Sequence, residues 1–281
     1  MKLLEGKTAV ITGSSRGLGF AIAKALAEQG ASVVLAARTS ETLQSAVNCL
    51  KKEGFKAEGF TCDASKLEDM ERLAQQAVST FGSLDIWVNN AGISAPYGLT
   101  MSISPLSVKK VIDTNISGVY YGSHVAMRYF LEQGSGKLIN LLGRGDSGPV
   151  PYQNAYASSK AWVKNFTRAL AREYSGKGIE VMAFNPGLVI TEMLTDVDVV
   201  AGFEKEVLPL NTVIRFWGNA PEEPARKVVW MASSATDGRN GLVVNFLSFG
   251  RMIAGVGKEF WRWMTRAPIT KPTIQVRTTK I

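Results

Sequence analysis

Short apolar runs alternate along this 281-residue chain with longer stretches in which apolar residues recur every three or four positions. The runs have the length of buried strands, and the longer stretches have the period of amphipathic helices. The predicted strands lie at about residues 8–11, 32–36, 57–62, 85–88, 137–141, 179–184 and 242–245. Strands that alternate with helices favour right-handed crossovers and a sheet covered on both faces. We therefore predict an α/β fold with one doubly wound, parallel, seven-stranded sheet.

No internal repeat, low-complexity segment or linker interrupts this alternation before residue 250. We predict one domain over residues 1–250 and a basic C-terminal extension over 251–281. The chain has a net charge of +8, and the extension contributes +6 of it through seven Lys or Arg and one acid. The basic charge therefore belongs mainly to the extension, and we expect no nucleic-acid partner.

The extension also contains Trp261 and Trp263 among its basic residues. Aromatic and basic side chains together suit an anionic membrane surface, a cover over an active site or a subunit interface. We favour packing on the protein over peripheral membrane contact.

The sequence has no recognisable targeting, membrane-spanning or metal-binding segment. No apolar run approaches the ~20 residues of a membrane-spanning helix, and a strand begins too early to leave room for a signal peptide. We expect Cys49 and Cys62 to be buried thiols rather than a disulfide, and the protein to be cytoplasmic. No cluster of His, Cys or acidic residues suggests a metal site.

A glycine-rich turn joins the first predicted strand to the first helix. Its glycines, Gly13, Gly17 and Gly19, allow a tight turn, a close approach of the backbone to a pyrophosphate and close helix–strand packing. The helix N-terminus supplies amide donors for the phosphates. In this strand–turn–helix context the pattern predicts a dinucleotide site.

The second strand indicates which nicotinamide cofactor this site binds. An NAD site places an acid at the end of that strand for the ribose 2′-hydroxyl, but Ala37 stands there. Arg38 follows directly, and Arg16 lies in the glycine loop. Two guanidinium groups suit a 2′-phosphate, so we predict NADP(H).

Tyr156 and Lys160 lie four residues apart on a helix predicted over about 153–174, so they share a face. An ammonium beside a phenol favours the phenolate, and we expect it to lower a phenol pKa that is ordinarily near ~10. Such a phenol could give or take a proton while hydride moves to or from a nicotinamide. The pair predicts a hydride-transfer active site.

With these motifs in this order, the chain resembles the short-chain dehydrogenases/reductases over about residues 5–250. Further shared motifs are Asp63 after the third strand, Asn90-Ala91-Gly92 after the fourth and Asn115. A last one is the segment Asn185-Pro186-Gly187 with Thr191. The resemblance implies a Rossmann-type fold and a homodimer or homotetramer.

The resemblance also assigns roles to residues. Asp63 would bind the adenine amino group, Val189 and Thr191 the nicotinamide carboxamide, and Asn115 would anchor a water that relays protons to Lys160. The cofactor-binding residues it implies are Gly13, Ser15, Arg16, Gly17, Leu18, Gly19, Arg38, Thr39, Asp63, Asn90, Ala91, Gly92, Tyr156, Lys160, Pro186, Gly187, Val189 and Thr191.

The chain departs from the family at Gly143. The family's fifth strand usually ends in two serines, the second thirteen residues before the tyrosine, and here Leu142 and Gly143 hold those places. That serine donates a hydrogen bond to the substrate oxygen. Loss of such a donor costs roughly 10²–10³ in rate, against an overall acceleration of at least ~10⁶. The substitution therefore predicts an atypical enzyme rather than an inactive one.

Three compensations are open. Ser147 could fold back into the site, the Gly143 or Arg144 amide could donate instead, or the glycine could make room for a bulky substrate. A weaker resemblance favours the third: residues 140–145, the segment 186–194 and the tail are similar to chlorophyll(ide) b reductases, which reduce a formyl group on a large macrocycle.

Residues 192–218 are expected to form an apolar flap over the substrate, so we predict a bulky hydrophobic carbonyl or alcohol. The candidate substrate residues are Tyr97, Ser147, Tyr152, Met193 and Leu194. The leading hypothesis is an NADP(H)-dependent oxidoreductase in which Tyr156 is the acid/base, and the alternative is a non-catalytic NADP(H)-binding sensor or assembly subunit.

Overall fold

A computed structural model describes residues 2–268 and 272–279, so parts of the predicted extension lie outside the described residues. The strands are β1 (Thr8–Thr12), β2 (Ser32–Ala37), β3 (Ala57–Thr61), β4 (Ile86–Asn89), β5 (Gly136–Leu141), β6 (Ile179–Asn185), β7 (Asp196–Val200), β8 (Val243–Asn245) and β9 (Gln275–Thr279). The helices are α1 (Gly17–Glu28), α2 (Ser40–Lys52), α3 (Leu67–Phe81), α4 (Pro105–Ile112), α5 (Gly118–Gln133), α6 (Asn154–Glu173), α7 (Glu192–Thr195), α8 (Glu204–Val207), α9 (Pro209–Trp217), α10 (Glu222–Ala232) and α11 (Phe249–Thr265).

The main sheet has seven strands in the order β3-β2-β1-β4-β5-β6-β8, and every neighbouring pair is parallel. The predicted seven-stranded parallel α/β fold is confirmed. The strand order reverses direction between β1 and β4, and a crevice opens at such a point outside the carboxyl ends of the strands. The loops that follow β1, β4, β5 and β6 all lead to this crevice.

The continuous apolar runs fold as strands because both faces of the sheet are covered. Every residue of β1 and of β5 is buried. One core layer packs α1, α2 and α10 against the sheet, and the other packs α3 and α5 around Trp87. These layers fix the carboxyl ends of the strands, and with them the crevice.

A second, two-stranded sheet pairs β7 with β9 in parallel. The sequence analysis missed it, although Asp196-Val197-Asp198-Val199 alternates polar and apolar residues as a half-exposed strand does. Val197, Val199, Val207 and Leu210 form a small core of their own, against which Ile274 and Val276 pack. The C-terminal residues 272–279 thus return to complete the flap.

Two further findings concern the cysteines and the helices. Cys62 is buried as expected, but Cys49 is exposed, so the prediction of a buried thiol is wrong there; neither forms a disulfide. Cys49 lies on the solvent side of α2, whose other face packs on the core. Within the part of the chain that the structure describes, no helix combines the length and the apolarity needed to cross a bilayer.

Candidate active site

The glycine loop after β1 is packed tightly against the loop after β4. Gly13 has a φ of +64°, and a Cβ there would lie 2.8 Å from the Cα of Ala91. Asn90 holds the loop from behind, since its Nδ2 donates to the carbonyls of Thr12 at 2.9 Å and Gly13 at 3.0 Å. Gly17 also has a positive φ, of +58°, where a side chain would be strained. Only glycine fits both positions, as the motif predicts.

The start of α1 offers unused backbone donors. Among the described residues, the amides of Gly17, Leu18 and Gly19 have no acceptor, and no acid lies in the first turn of the helix. The positive end of the helix dipole is therefore not neutralised by the helix's own side chains. This donor set fits the pyrophosphate of a dinucleotide.

The two arginines predicted to bind a 2′-phosphate differ in their surroundings. Arg38 is exposed and has no charged partner among the residues described. Arg16 is also exposed, but its guanidinium pairs with Glu192, at the start of α7, at 2.5 Å. The structure thus adds an acid that the sequence analysis did not consider, and Arg38 is the cation left unpaired.

Asp63 and Thr191 lie on the loops expected to border the cofactor. One carboxylate oxygen of Asp63 accepts from the amide and hydroxyl of Ser65, at 3.1 and 2.8 Å, which fixes the turn after β3. Thr191 packs against the glycine loop, because a Cβ on Gly17 would lie 3.2 Å from its Cγ2. The glycine loop and the segment that leads into the flap are therefore in contact.

Tyr156 and Lys160 share a face of α6 as predicted, and Lys160 is buried. Its Nζ donates to the carbonyl of Leu141 at 3.0 Å and lies 5.6 Å from the centroid of the Tyr156 ring. Burial lowers the pKa of Lys160 to about 8. The cause is desolvation: removal from water disfavours the charged ammonium relative to the neutral amine.

The predicted lowering of the phenol pKa is wrong for this arrangement. Burial raises the pKa of Tyr156 to about 12, and the neighbouring Tyr97 adds to the rise. The physical reason is that desolvation of the phenolate outweighs the attraction of an ammonium that is turned toward the Leu141 carbonyl. Tyr156 is therefore a protonated phenol at neutral pH.

The phenol of Tyr156 occupies the space beside Gly143. A Cβ at residue 143 would lie only 2.4 Å from the Tyr156 hydroxyl oxygen and 3.3 Å from its Cζ. A serine could not be added without moving the tyrosine, because real Cβ atoms do not approach so closely. The phenol can therefore take this position only because residue 143 has no side chain.

Backbone donors remain at this place. The amides of Gly143 and Arg144 have no acceptor within the described residues. Ser147, by contrast, donates to Asp146 at 2.8 Å and accepts from Lys164 at 2.6 Å, and it is exposed. Of the compensations considered for the missing serine, the backbone amides are available, and the Ser147 hydroxyl is engaged elsewhere.

Asn115 is fully buried in a π-helical turn, Asp113–Ser117, between α4 and α5. Its Oδ1 accepts from the amide of Ile93 at 2.8 Å, and its Nδ2 donates to the Ile93 carbonyl at 2.9 Å and to Ser159 at 3.1 Å. Asn115 thus ties the loop after β4 to the residue next to Lys160. Short π-helical turns of this kind occur often at functional sites.

The remaining predicted substrate residues fall into two groups. Tyr97 lies beside Tyr156 and joins the flap, since its amide donates to Asp198 and its carbonyl accepts from Val200, both at 2.8 Å. Tyr152 borders the same cleft as Tyr156, and its ring lies 5.6 Å from that of Phe203. Met193 and Leu194 lie instead on α7, next to the glycine loop, and Met193 is exposed.

Sequence analysis missed a buried polar network that positions α6. Asn89 Nδ2 donates to Asn140 Oδ1 at 2.8 Å, and Asn140 Nδ2 donates to Thr167 of α6 at 2.9 Å. Trp87 Nε1 also donates to Asn89, at 2.8 Å. Two asparagines inside apolar strands were the available signal, because a buried amide needs partners.

A second missed residue is Asn219. Its amide donates to Leu188, and its carbonyl accepts from Ile190, at 2.8 and 2.9 Å. Gly187, with a φ of +69°, begins the same loop, and its amide donates to Asn185 at 2.9 Å. These bonds hold the segment with Pro186 and Val189 at the end of β6, although residue 219 stands far from any recognised motif.

Comparisons with known proteins agree with this geometry. The family model described as short chain dehydrogenase matches residues 7–199. The chain is 37% identical over 242 residues to the 3beta-hydroxysteroid dehydrogenase 1 of Eggerthella lenta, which covers 82% of this chain and 88% of that protein.

Solved structures of similar fold contain nicotinamide cofactors. A variant of actinorhodin polyketide ketoreductase with NADPH superposes with a TM-score of 0.78 at 27% identity, covering 85% of this chain and 95% of the other. The 3-ketoacyl-(acyl-carrier-protein) reductase from Brucella melitensis, complexed with NADH, gives a TM-score of 0.78 at 29% identity and covers 89% and 99%. The fold around the crevice is therefore similar to the fold that holds a nicotinamide cofactor in these two structures.

Proposed function

Because the chain belongs to the short-chain dehydrogenase/reductase family, we propose that it is an NADP(H)-dependent oxidoreductase acting on a bulky hydrophobic carbonyl or alcohol. The observation that carries the proposal is the Tyr156–Lys160 pair, which lies at the end of β5, at the same edge of the sheet as the free amides of α1. The family supports oxidation or reduction at alcohols and carbonyls, and the cofactor preference and the substrate class are the proposed refinements.

The preference for NADP(H) is supported by charge. Arg38 has no charged partner among the described residues, and Ala37 removes the acid that an NAD site would use. The amides of Gly17, Leu18 and Gly19 would hold the pyrophosphate, and Arg38 would pair with the 2′-phosphate. When bound, the nicotinamide would supply or accept the hydride.

Tyr156 serves as the proton donor in this proposal. Its raised pKa keeps the phenol protonated at neutral pH, so it can donate to a substrate oxygen that is gaining negative charge. Lys160, with a pKa of about 8, is still mostly an ammonium at pH 7 and stabilises the phenolate that remains. The protonated phenol is the form that can act as the acid when a carbonyl is reduced.

The position of Tyr156 beside Gly143 supports a bulky substrate. With no side chain at residue 143, the Tyr156 phenol lies beside the end of β5. This placement would leave the other side of the phenol to the substrate. The amides of Gly143 and Arg144 can donate to the substrate oxygen in place of the serine. Pro96, Ile103 and Val108 line the cleft that Tyr156 borders, and this apolar lining suits a hydrophobic ligand. The likeness to chlorophyll(ide) b reductases stays a prediction.

We also propose self-association through the outer faces of α5 and α6. Tyr120 is 48% exposed, and its ring lies edge-on to Phe166, 6.2 Å away. Phe166 in turn stacks on Trp162 at 4.8 Å. A partly exposed aromatic cluster on two neighbouring helices is the kind of surface that subunits bury. A sedimentation coefficient that falls to the monomer value in Tyr120→Glu, and not in Leu106→Glu on the exposed side of α4, would support it.

The direct test of the proposed activity is NADPH oxidation with a panel of hydrophobic aldehydes and ketones. Tyr156→Phe should lose about 10²–10⁴ in kcat/KM on any active substrate, because it removes the proton donor. Tyr174→Phe, directly after the last residue of the same helix, is the matched control and should retain activity.

The alternative function, a non-catalytic NADP(H)-binding sensor or assembly subunit, is favoured by the missing serine. The same assay separates the two. Tight NADPH binding with no turnover on any substrate, or equal activity in wild type and Tyr156→Phe, would overturn the enzymatic proposal.

A further inference from the structure

The C-terminal helix α11 is attached to the protein by its polar side. It lies so close to α9 that a Cβ on Gly255 would be 2.6 Å from the Phe216 carbonyl oxygen. Glu259 faces the same side, with its Oε2 3.2 Å from Arg215 of α9 and 2.8 Å from Arg262. The Trp217 indole donates to the Met252 carbonyl at 3.1 Å. A small residue, an ion pair and a backbone acceptor therefore form this contact.

The opposite side of α11 is apolar and exposed. Ile253, Val256, Phe260 and Met264 recur at helical spacing, so they lie along one face. With their neighbours they are between 40% and 71% exposed, and the full set is Met252, Ile253, Val256, Phe260, Trp261, Trp263 and Met264. We call this set the α11 apolar face. An amphipathic helix normally buries its apolar side. In α11 the apolar side is exposed, and the polar side packs on the protein.

Cations accompany the α11 apolar face. Lys258 is exposed and stands three residues before Trp261, so the two are neighbours on the helix surface. Arg266 is exposed just past the C-terminal end of the helix, whereas Arg251, near its start, pairs with Glu223 at 3.8 Å. The one acid of the helix, Glu259, is turned inward onto Arg215 and Arg262. The outward side thus combines large apolar side chains, including two tryptophans, with the positive charges of Lys258 and Arg266.

We propose that the α11 apolar face is an in-plane docking surface for an anionic lipid membrane. A helix with aromatic residues on one side and cations along its border inserts its apolar side at the headgroup boundary, while the cations bind acidic headgroups. The polar side of α11 stays fastened to α9, so the helix lies parallel to the bilayer and the body of the protein stays outside it.

A second copy of the chain fits this surface less well. Two copies facing each other through α11 would bring Lys258 and its counterparts together, and like charges across an interface oppose association. The C-terminal region from residue 251 carries +6 of the net charge of +8, which increases that repulsion and strengthens attraction to acidic lipid. The partly exposed aromatic cluster of α5 and α6 offers a separate surface for subunits.

The test is flotation of the full chain with vesicles of phosphatidylcholine alone or with phosphatidylglycerol added, without substrate or cofactor. We expect binding only to the phosphatidylglycerol vesicles, weakened by added salt. Phe260→Ser/Trp263→Ser should abolish it, and Lys258→Gln should weaken it about fivefold, as loss of one interfacial cation predicts.

Leu106→Ser is the matched control, because Leu106 is also a large exposed residue, 61% exposed, but lies on α4. It should bind vesicles as wild type does, and all variants should keep the wild-type unfolding temperature. The proposal is overturned if the wild type binds no vesicles, if the Phe260/Trp263 variant binds as well as wild type, or if that variant instead loses self-association. Because no turnover is measured, this outcome is independent of the proposed catalysis.

Discussion

The cofactor side of the crevice is formed by loops that directly follow strands of the main sheet, whereas the substrate side is assembled from segments far apart in the chain. Gly13 follows β1, Arg38 follows β2 and Asn90 follows β4. Tyr97, by contrast, pairs with Val199 of β7. The other edge of β7 pairs with β9, which follows about eighty residues later in the chain. The first side is fixed by local sequence and the sheet, and the second depends on tertiary contacts between distant segments.

The comparison predicts that the cofactor side tolerates no added side chain. A Cβ on Gly19 would lie 2.3 Å from the Gly13 carbonyl oxygen and 2.5 Å from Asn90 Nδ2. Because a backbone atom cannot move aside as a side chain can, Gly19→Ala should weaken NADPH binding on the order of 100-fold, measured by fluorescence titration. Gly148→Ala is the control, since nothing lies near Gly148. Equal affinities in the two variants would refute the rigid description of this side.

A smaller effect is expected at the adenosine end. Arg38→Ala should raise the Kd for NADPH about tenfold and leave the Kd for NADH unchanged, because it removes one charge-assisted contact to a 2′-phosphate. Glu192→Gln releases Arg16 from its ion pair and should tighten NADPH binding slightly. Calorimetric titration of both cofactors measures these changes. A variant at Arg38 that weakens NADH and NADPH equally would contradict the proposed preference.

The pH dependence sharpens the comparison at the catalytic group. Lys160 has a pKa of about 8, depressed by burial, so it loses its proton as the pH rises through 8, while Tyr156 stays protonated to about 12. We expect kcat/KM for carbonyl reduction to fall above about pH 8, since the neutral amine no longer stabilises the phenolate. The fall should be absent in Lys160→Arg at whatever activity remains, because arginine stays charged. A profile that rises through pH 8 in the wild type would contradict the role given to Lys160.

The same division explains what could be predicted from the sequence. Gly13, Gly17 and Gly19 are local signals, because positive φ and close backbone contact leave glycine as the residue that fits. The Tyr156–Lys160 pair needs only the helical spacing of four residues. The seven-stranded sheet could be predicted from apolar runs of strand length. In β1 and β5 every residue of such a run is buried.

What could not be predicted depends on distant partners. The pairing of β7 with β9 joins residues near 198 to residues near 277, and no local pattern specifies that contact. The Arg16–Glu192 pair also required the fold. The pKa of Tyr156 was predicted in the wrong direction because spacing places Lys160 on the same face but does not reveal that its Nζ turns to Leu141 or that burial dominates.

The Tyr156 phenol takes the place beside Gly143, and we propose that this placement leaves room for a bulky substrate. The most direct measurement is kcat/KM of Gly143→Ser on the bulkiest active carbonyl, with Gly148→Ser as control. To clear a Cβ 2.4 Å away the phenol must move by about 1 Å, and a shift of that size can cost on the order of 100-fold. We expect a loss of that order with the protein still folded and binding NADPH. An increase in kcat/KM on the same substrate would show that the chain merely lacks a donor at residue 143, and would contradict the account.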